Sequence, residues 1–313
     1  MAFTVFVIIL IIIIYNLYKF ISERKKQAIL AKEKWYREEA ERKREQEKYE
    51  REQKISARLR NEKLKKEEAE KESARESKKR REEFLSSQKE KFKNAVESIP
   101  KFEIILSDKK HNRNLAIDVA DKQYKNITKS TPVSKLKDFV VVDTETTGIK
   151  VSGNDIIQLS AIKYRNFYPV QAFDTYIRPR NHIPKEASDI NGITDDMVKD
   201  APKFYQIIDS FNEFIEDLPL VAHNAEFDVK HIYANGLDSV ADKTVYDTLA
   251  LSRRIMKDEY SYKLGDICES ANIHIANAHN SLYDCYATGE LFKYLIEERK
   301  EISIDDLMGK DED

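Results

Sequence analysis

The sequence predicts an α/β fold, a mixed sheet flanked by helices, preceded by a transmembrane helix and a long charged helix. Three observations carry this reading. All seven Gly and all seven Pro fall from Pro100 onward, so the first third of the chain lacks the residues that punctuate turns. Charge divides at the same place: Glu23–Glu97 holds 26 basic and 19 acidic side chains, and Ser98 onward holds 27 basic and 37 acidic. The net charge of −2 is therefore a cancellation between a basic and an acidic module. From Asp138, short apolar runs alternate with helical periods and turn signals, the pattern of a sheet covered by helices.

Residues 1–22 read as a single-pass transmembrane helix. Ala2–Tyr15 carries no charge, and apolar character continues to Ile21 around Lys19. About 20 apolar residues suffice to cross a hydrocarbon layer roughly 30 Å thick. Tyr18 and Lys19 suit its interface, where a long amine can snorkel. A cleaved signal peptide would want a basic start and a small-residue cleavage site; here the start is uncharged and the run is followed by Ser22-Glu-Arg-Lys-Lys26. The positive charge lies on the C-terminal flank, which puts everything after Ile21 on the cytoplasmic side. Membrane contact is thus expected through residues 2–21. Only two cysteines occur, Cys268 and Cys285, in apolar helical patterns that suit buried thiols rather than a disulfide.

Residues 23–97 read as a charged helical stalk or weak coiled coil. Glu, Lys, Arg, Gln and Ala dominate, all strong helix formers. Acid-to-base pairs recur at i,i+4, among them Glu39/Lys43, Glu50/Lys54, Glu62/Lys66 and Glu76/Arg80, each contributing about 0.2–0.5 kcal/mol. A helix of this length reaches on the order of 110 Å. Trp35, Tyr36, Tyr49, Ile55, Leu59, Leu64, Phe84 and Phe92 are too sparse to sustain an a/d heptad. A solvated helix is favoured over a strong dimeric coil, with self-association through the stalk kept as the alternative.

Residues 98–137 read as a connector, whose apolar run Phe102–Leu106 suits one strand packed on the following domain. That domain covers 138–300, and 301–313 form an acidic tail. Phe139–Val142 reads as a buried strand, with Asp155–Tyr164 and Ala172–Ile177 as two further strands of a meander. A helix follows at Lys203–Glu216, with Phe204, Ile207, Ile208, Phe211 and Ile215 on one face. Leu220–Ala222 is a strand, and helices follow near Asp228–Ala234, Thr248–Met256, Leu264–Ala271 and Ser281–Glu298.

Three motifs carry candidate chemistry. Asp143-Thr-Glu145-Thr-Thr-Gly148 ends the first strand, and period-two alternation puts Asp143 and Glu145 on one face, about 7 Å apart along the chain. Paired carboxylates there suit a divalent cation such as Mg²⁺ or Mn²⁺, or else a turn. His223-Asn-Ala-Glu-Phe-Asp228 follows the strand Leu220–Ala222, and Asp228 falls in a first helical turn, where capping is the competing role. His279-Asn-Ser-Leu-Tyr-Asp284 enters the last helix, with Asp284 on the face of Ala287 and Leu291 and so pointing inward. A histidine just before that helix is either structural or placed to take a proton from water.

In this order and spacing the three motifs resemble the DnaQ-like DEDD 3′→5′ exonucleases, specifically the histidine-bearing DEDDh branch. Ile190-Asn-Gly-Ile-Thr194, Asp247-Thr-Leu and Lys263-Leu resemble stretches that lie between the family's motifs, and the resemblance spans about Asp138–Glu298. It implies a ribonuclease H-like fold and makes Asp143, Glu145, Asp228 and Asp284 the ligands of two divalent cations, Mg²⁺ or Mn²⁺. It further implies that His279 is the general base and that Thr144, Thr146, His223, Asn224 and Phe227 line the terminal-nucleotide pocket. The implied activity is release of nucleoside 5′-monophosphates from nucleic-acid 3′ ends, with two ions serving the attacking and leaving oxygens of the displacement. The acidic balance of this half argues for single-stranded 3′ ends held locally rather than tight duplex binding, with Arg178, Arg180, Arg253, Arg254 and Lys257 as a candidate basic rim. The alternative is a membrane-tethered binding or scaffold protein with an inactive exonuclease fold; retention of all four acids and the histidine counts against it.

Overall fold

A computed structural model describes residues 2–109, 124–128, 130–276 and 280–298, so the expected acidic tail lies outside the described residues. Two compact units are distinguished, Met1–Arg81 and Glu82–Asp313. One helix, α1 (Ala2–Glu97), supplies the first unit. Its N-terminal stretch is long and apolar enough to cross a membrane, with none of it buried in protein. Along the charged part, ion pairs form at i,i+4: Arg58–Glu62 at 3.2 Å, Arg80–Glu76 at 3.3 Å and Lys34–Glu38 at 3.9 Å. All are solvated, so each contributes a few tenths of a kcal/mol at about the level of isolated helix pairs. Trp35, Tyr36, Ile55, Leu59 and Leu64 are exposed.

The second unit is built on a five-stranded sheet of β1 (Phe139–Thr146), β2 (Ile156–Arg165), β3 (Tyr168–Tyr176), β4 (Leu220–Ala222) and β5 (Val245–Asp247). Its spatial order is β3-β2-β1-β4-β5. Strands β1, β2 and β3 pair antiparallel, while β4 and β5 run parallel to β1. The β2–β3 hairpin turns through Asn166 at φ 50° and Phe167 at φ 65°, the doubly left-handed conformation that matches strand twist. A phenylalanine there is unusual; its ring lies 6.1 Å from Phe139, so packing offsets the backbone cost.

Helices follow the apolar periods: α2 (Lys185–Asn191), α3 (Asp195–Val198), α4 (Phe204–Ile215), α5 (Ala225–Ala234), α6 (Thr248–Ile255), α7 (Leu264–Ser270) and α8 (Ser281–Glu298). The two faces of β1 point into two cores. Val140 and Val142 join Ile207, Phe211 and Phe214 of α4 and Val229 and Ile232 of α5. Phe139 and Val141 join Leu291, Phe292 and Leu295 of α8. Gly289 is required in α8, because a Cβ there would lie 2.2 Å from the Tyr164 hydroxyl of β2. Both cysteines are free and buried.

The end of α1 and the segment after it belong to this packing. Phe92, Val96 and Ile99 are buried in the α8-side core. Phe102 packs on Phe173 and Phe214, at ring separations of 6.0 and 5.3 Å, and its backbone N–H donates to Ala172. The Ser210 hydroxyl of α4 clips Ile105, accepting from its N–H at 2.9 Å and donating to its carbonyl at 2.7 Å. The run Phe102–Leu106 is thus extended and docked, without a strand's ladder. Sequence reading also passed over β5, α2 and α3, which are seven residues or fewer and show no periodicity of their own.

Candidate active site

Sheet order decides where the chemistry collects. β1 has an antiparallel neighbour on one side and a parallel one on the other, so the C-terminal ends of β1 and β4 open at the same edge, the place where open α/β sheets hold ligands. Alternation along β1 continues past the apolar run. It sends Asp143 and Glu145 to the α8 face, where Asp284 stands in the first turn of α8. Ligand oxygens of Asp143, Glu145 and Asp284 all lie within 4.8 Å of one another.

Thr144 alternates to the other face and meets Asp228 in the first turn of α5. One oxygen of Asp228 accepts from the Thr144 N–H at 2.9 Å and from its hydroxyl at 2.8 Å. Asp228 is therefore tied to the strand that carries Asp143 and Glu145, while also accepting from its own backbone N–H in the first turn of α5. The four acids share a cleft of about 410 Å³, which Thr144, His223, Asn224 and Phe227 also line. Thr146 does not line it; its hydroxyl turns away to donate to the Gly148 carbonyl at 2.9 Å. His279 lies outside the described residues.

The acids strain against one another. Burial pushes Asp143 well above the usual carboxylate range, and the charges of Asp228, Asp284 and Glu145 push it further. Glu145 is pushed up to about 8 by burial and then by Asp284 and Asp228. Asp228 is raised by burial, against the opposing hydrogen bonds from Thr144. Such a cluster is costly unless positive charge sits among the oxygens. Its donor set fits a hard divalent cation: the three clustered ligands are all carboxylates, without His or Cys, which suits Mg²⁺ or Mn²⁺.

His223 is locked in place. One ring nitrogen meets the Thr248 hydroxyl and the other the Tyr262 carbonyl, both at 2.9 Å. Burial lowers its pKa, which keeps the ring neutral and leaves it to shape the cleft wall. Asn224 takes the left-handed conformation, φ 63°, and its N–H donates to Asp247 at 3.0 Å, fixing the sharp turn from β4 into α5.

Sequence reasoning missed several contributors. Asn191, the last residue of α2, hydrogen-bonds Glu145 and partly opposes its raised pKa. Its own side-chain oxygen accepts from the Ile193 N–H at 3.0 Å, and Gly192 at φ 72° ends α2. The Asn-Gly pair was legible as a turn but not as a contact with Glu145. Lys263, Asp266 and Ile275 also line the cleft. The expected basic rim is dispersed: Arg178 and Arg180 line a separate cavity with Lys203, and Arg254 lines another with Lys125 and Lys230. Arg180 is in addition bound to Asp155 at 2.8 Å.

Residues 140–292, the segment that builds this cleft, match the family model described as Exonuclease. The chain is 37% identical over 180 residues to a DNA polymerase III PolC-type from Caldanaerobacter subterraneus subsp. tengcongensis, covering 57% of this chain and 13% of that protein. It is 35% identical over 164 residues to the PolC-type polymerase of Lactococcus lactis subsp. lactis, covering 51% and 10%. The chain thus spans about an eighth or less of the length of these relatives. Among solved structures it is similar to Exonuclease X in complex with 5′-overhanging duplex DNA, at 22% identity and a TM-score of 0.43, covering 54% of this chain and 96% of that one. It is also similar to E. coli Exonuclease I in complex with a dA16 oligonucleotide, at 18% identity and a TM-score of 0.46, covering 53% and 42%.

Proposed function

We propose that this chain is a membrane-anchored, metal-dependent 3′→5′ exonuclease of the DEDDh type, releasing nucleoside 5′-monophosphates from single-stranded nucleic-acid 3′ ends. The observation that carries the proposal is the convergence of Asp143, Glu145 and Asp284 within 4.8 Å inside a segment that matches an exonuclease family. Asp143, Glu145 and Asp284 would hold the divalent cations, with Asp228 completing the set. When bound, Mg²⁺ or Mn²⁺ supplies charge stabilisation for the oxygens that attack and leave phosphorus.

This chain's own residues do the rest. Thr144 fixes Asp228 to β1, and Asn191 steadies Glu145, so both carboxylates are oriented before substrate arrives. Neutral His223, Asn224 and Phe227 form the wall against which a terminal nucleotide would rest. His279 is assigned to take the proton from the attacking water, on the strength of its place five residues before Asp284. The apolar start of α1 is assigned as the membrane anchor, and the acid-rich domain is assigned to the cytoplasm by the positive flank.

The test is mononucleotide release from matched single-stranded DNA and RNA oligonucleotides in Mg²⁺ or Mn²⁺. Asp143→Asn and Asp284→Asn should each lower turnover by about three orders of magnitude or more, in line with loss of a main electrostatic contribution. Undiminished activity in either variant would remove the assignment.

A further inference from the structure

The segment that carries the proposed chemistry is gripped from outside the exonuclease fold. Its N-terminal part, Ile273–Ala276, includes Ile275, which lines the acidic cleft. One residue earlier, the His274 ring meets the edge of Phe84, with centroids 6.4 Å apart at 86°. Its C-terminal part is the first turn of α8, which carries Asp284. There the Phe92 ring stands edge-to-face against Tyr286 at 5.0 Å and stacks on Tyr283 at 6.3 Å. The Tyr283 hydroxyl donates to Glu97 at 3.3 Å, and Leu282 and Cys285 share a core with Phe92, Val96 and Ile99. Phe84, Phe92 and Glu97 thus hold the segment on both sides of His279 in sequence. A cavity of about 430 Å³ opens between Leu85, Lys89 and Lys93 of α1 and Ala276.

We infer that the last turns of α1, Glu82–Glu97, are a positioning element for the catalytic segment, with Phe84 and Phe92 as its positioning residues. The inference rests on the exonuclease reading above. Asp284 sits beside Tyr283, so a shift of the Phe92 contact is passed directly to a proposed metal ligand. Ile275 sits beside His274, so loss of the Phe84 contact frees the cleft wall. Phe84 is 54% exposed, so it adds little to the core. Its contribution through His274 is to position, and a displacement of about 1 Å at a reacting centre can cost on the order of a hundredfold in rate.

The experiment uses the full chain in detergent, with Phe84→Ala, Phe84→Tyr and, as a control on the same helix, Trp35→Ala. In Phe84→Ala, kcat for mononucleotide release from a single-stranded oligonucleotide in Mn²⁺ should fall on the order of tenfold. KM should stay within about twofold, the signature of a lost transition-state interaction. Phe84→Tyr keeps the ring and should restore kcat; Trp35→Ala should leave it unchanged. Amide hydrogen exchange in peptides covering 273–286 should quicken in Phe84→Ala alone. Unchanged kcat and unchanged exchange would overturn the inference, as would a loss that tracks a lowered melting temperature of the whole domain. If the wild-type chain releases no nucleotide, the exonuclease reading fails, and the exchange measurement still decides whether α1 orders this segment.

Discussion

Replacing Glu145 by Gln should stabilise the metal-free domain at alkaline pH while weakening its response to divalent cations. Glu145 is raised from its ordinary 4.5 to about 8. A folded acid with a raised pKa binds its proton more tightly than the unfolded chain does. Stability therefore falls as pH climbs from about 4.5 through 8, since the unfolded state gains by releasing the proton first. At about 1.4 kcal/mol for each pH unit, the full loss is on the order of 4 kcal/mol by pH 8. The carboxylate is partly open to water in the cleft, so half of that, about 2 kcal/mol, is the working figure. Gln keeps the shape and the Asn191 contact but carries no charge, so the variant should recover this amount. In a domain of about 200 residues it corresponds to a rise of roughly 4–8 °C in melting temperature. The assay is calorimetry at pH 5 and pH 8 in EDTA, repeated with excess Mn²⁺. The wild type should melt lower at pH 8 than at pH 5 in EDTA and regain stability with Mn²⁺; Glu145→Gln should show a weaker pH dependence and a weaker Mn²⁺ response. A wild type whose stability is flat between the two pH values, or a variant less stable than wild type at pH 8 in EDTA, would refute the reasoning.

Three further outcomes follow from the packing. A chain beginning at Asp138 loses Phe92, Val96, Ile99, Ile127 and Leu136 from the core, about 7 kcal/mol or more at roughly 1.5–3 kcal/mol per buried side chain. It should be largely unfolded by circular dichroism and limited proteolysis, whereas one beginning at Glu82 should melt cooperatively. Gly289→Ala drives a methyl to within 2.2 Å of the buried Tyr164 hydroxyl; it should cost about 1–3 kcal/mol or more in urea denaturation, and an unchanged midpoint would contradict the close α8–β2 approach. Asn191→Ala removes the hydrogen bond on Glu145 and should weaken Mn²⁺ binding about tenfold by titration calorimetry, the usual size of a supporting contact behind a ligand.

How far the sequence speaks depends on how local each feature is. Phe139–Val142 announces a buried strand, and the alternation that makes it one also decides that Asp143 and Glu145 share a face. The inward direction of Asp284 follows from the period of α8 in the same way. β5 leaves no such mark, because three residues paired to β4 owe their extended form to the neighbour rather than to their own pattern. The link from Asn191 to Glu145 joins residues far apart in the chain, and a short Asn-ended helix does not say what its side chain will touch. Thr146 comes from the resemblance alone, and nothing in its sequence neighbourhood says that its hydroxyl closes the turn at Gly148. Phe92 was visible as one of a few apolar residues in a charged helix. A broken heptad does not say that Phe92 packs on its own domain while Trp35, Ile55 and Leu64 stay exposed.

The acid cluster and the packing around it are two parts of one arrangement. Three carboxylates crowded within 4.8 Å repel, and a soft scaffold would let them part and take up water instead. They remain together because they stand on two rigid supports packed against each other. Asp143 and Glu145 ride the central strand between β2 and β4, while Asp284 rides a helix held against that strand by Phe139, Phe292 and Leu295. Asp228 is pinned from the opposite face by Thr144. The supports converge from both cores, so relaxation at one acid would require both cores to repack, at a cost of several kcal/mol. Glu145, raised to about 8, and Asp143 therefore hold their protons near neutral pH, and in the proposed enzyme cations would displace protons from a site already assembled, so that little binding energy would be spent on ordering it.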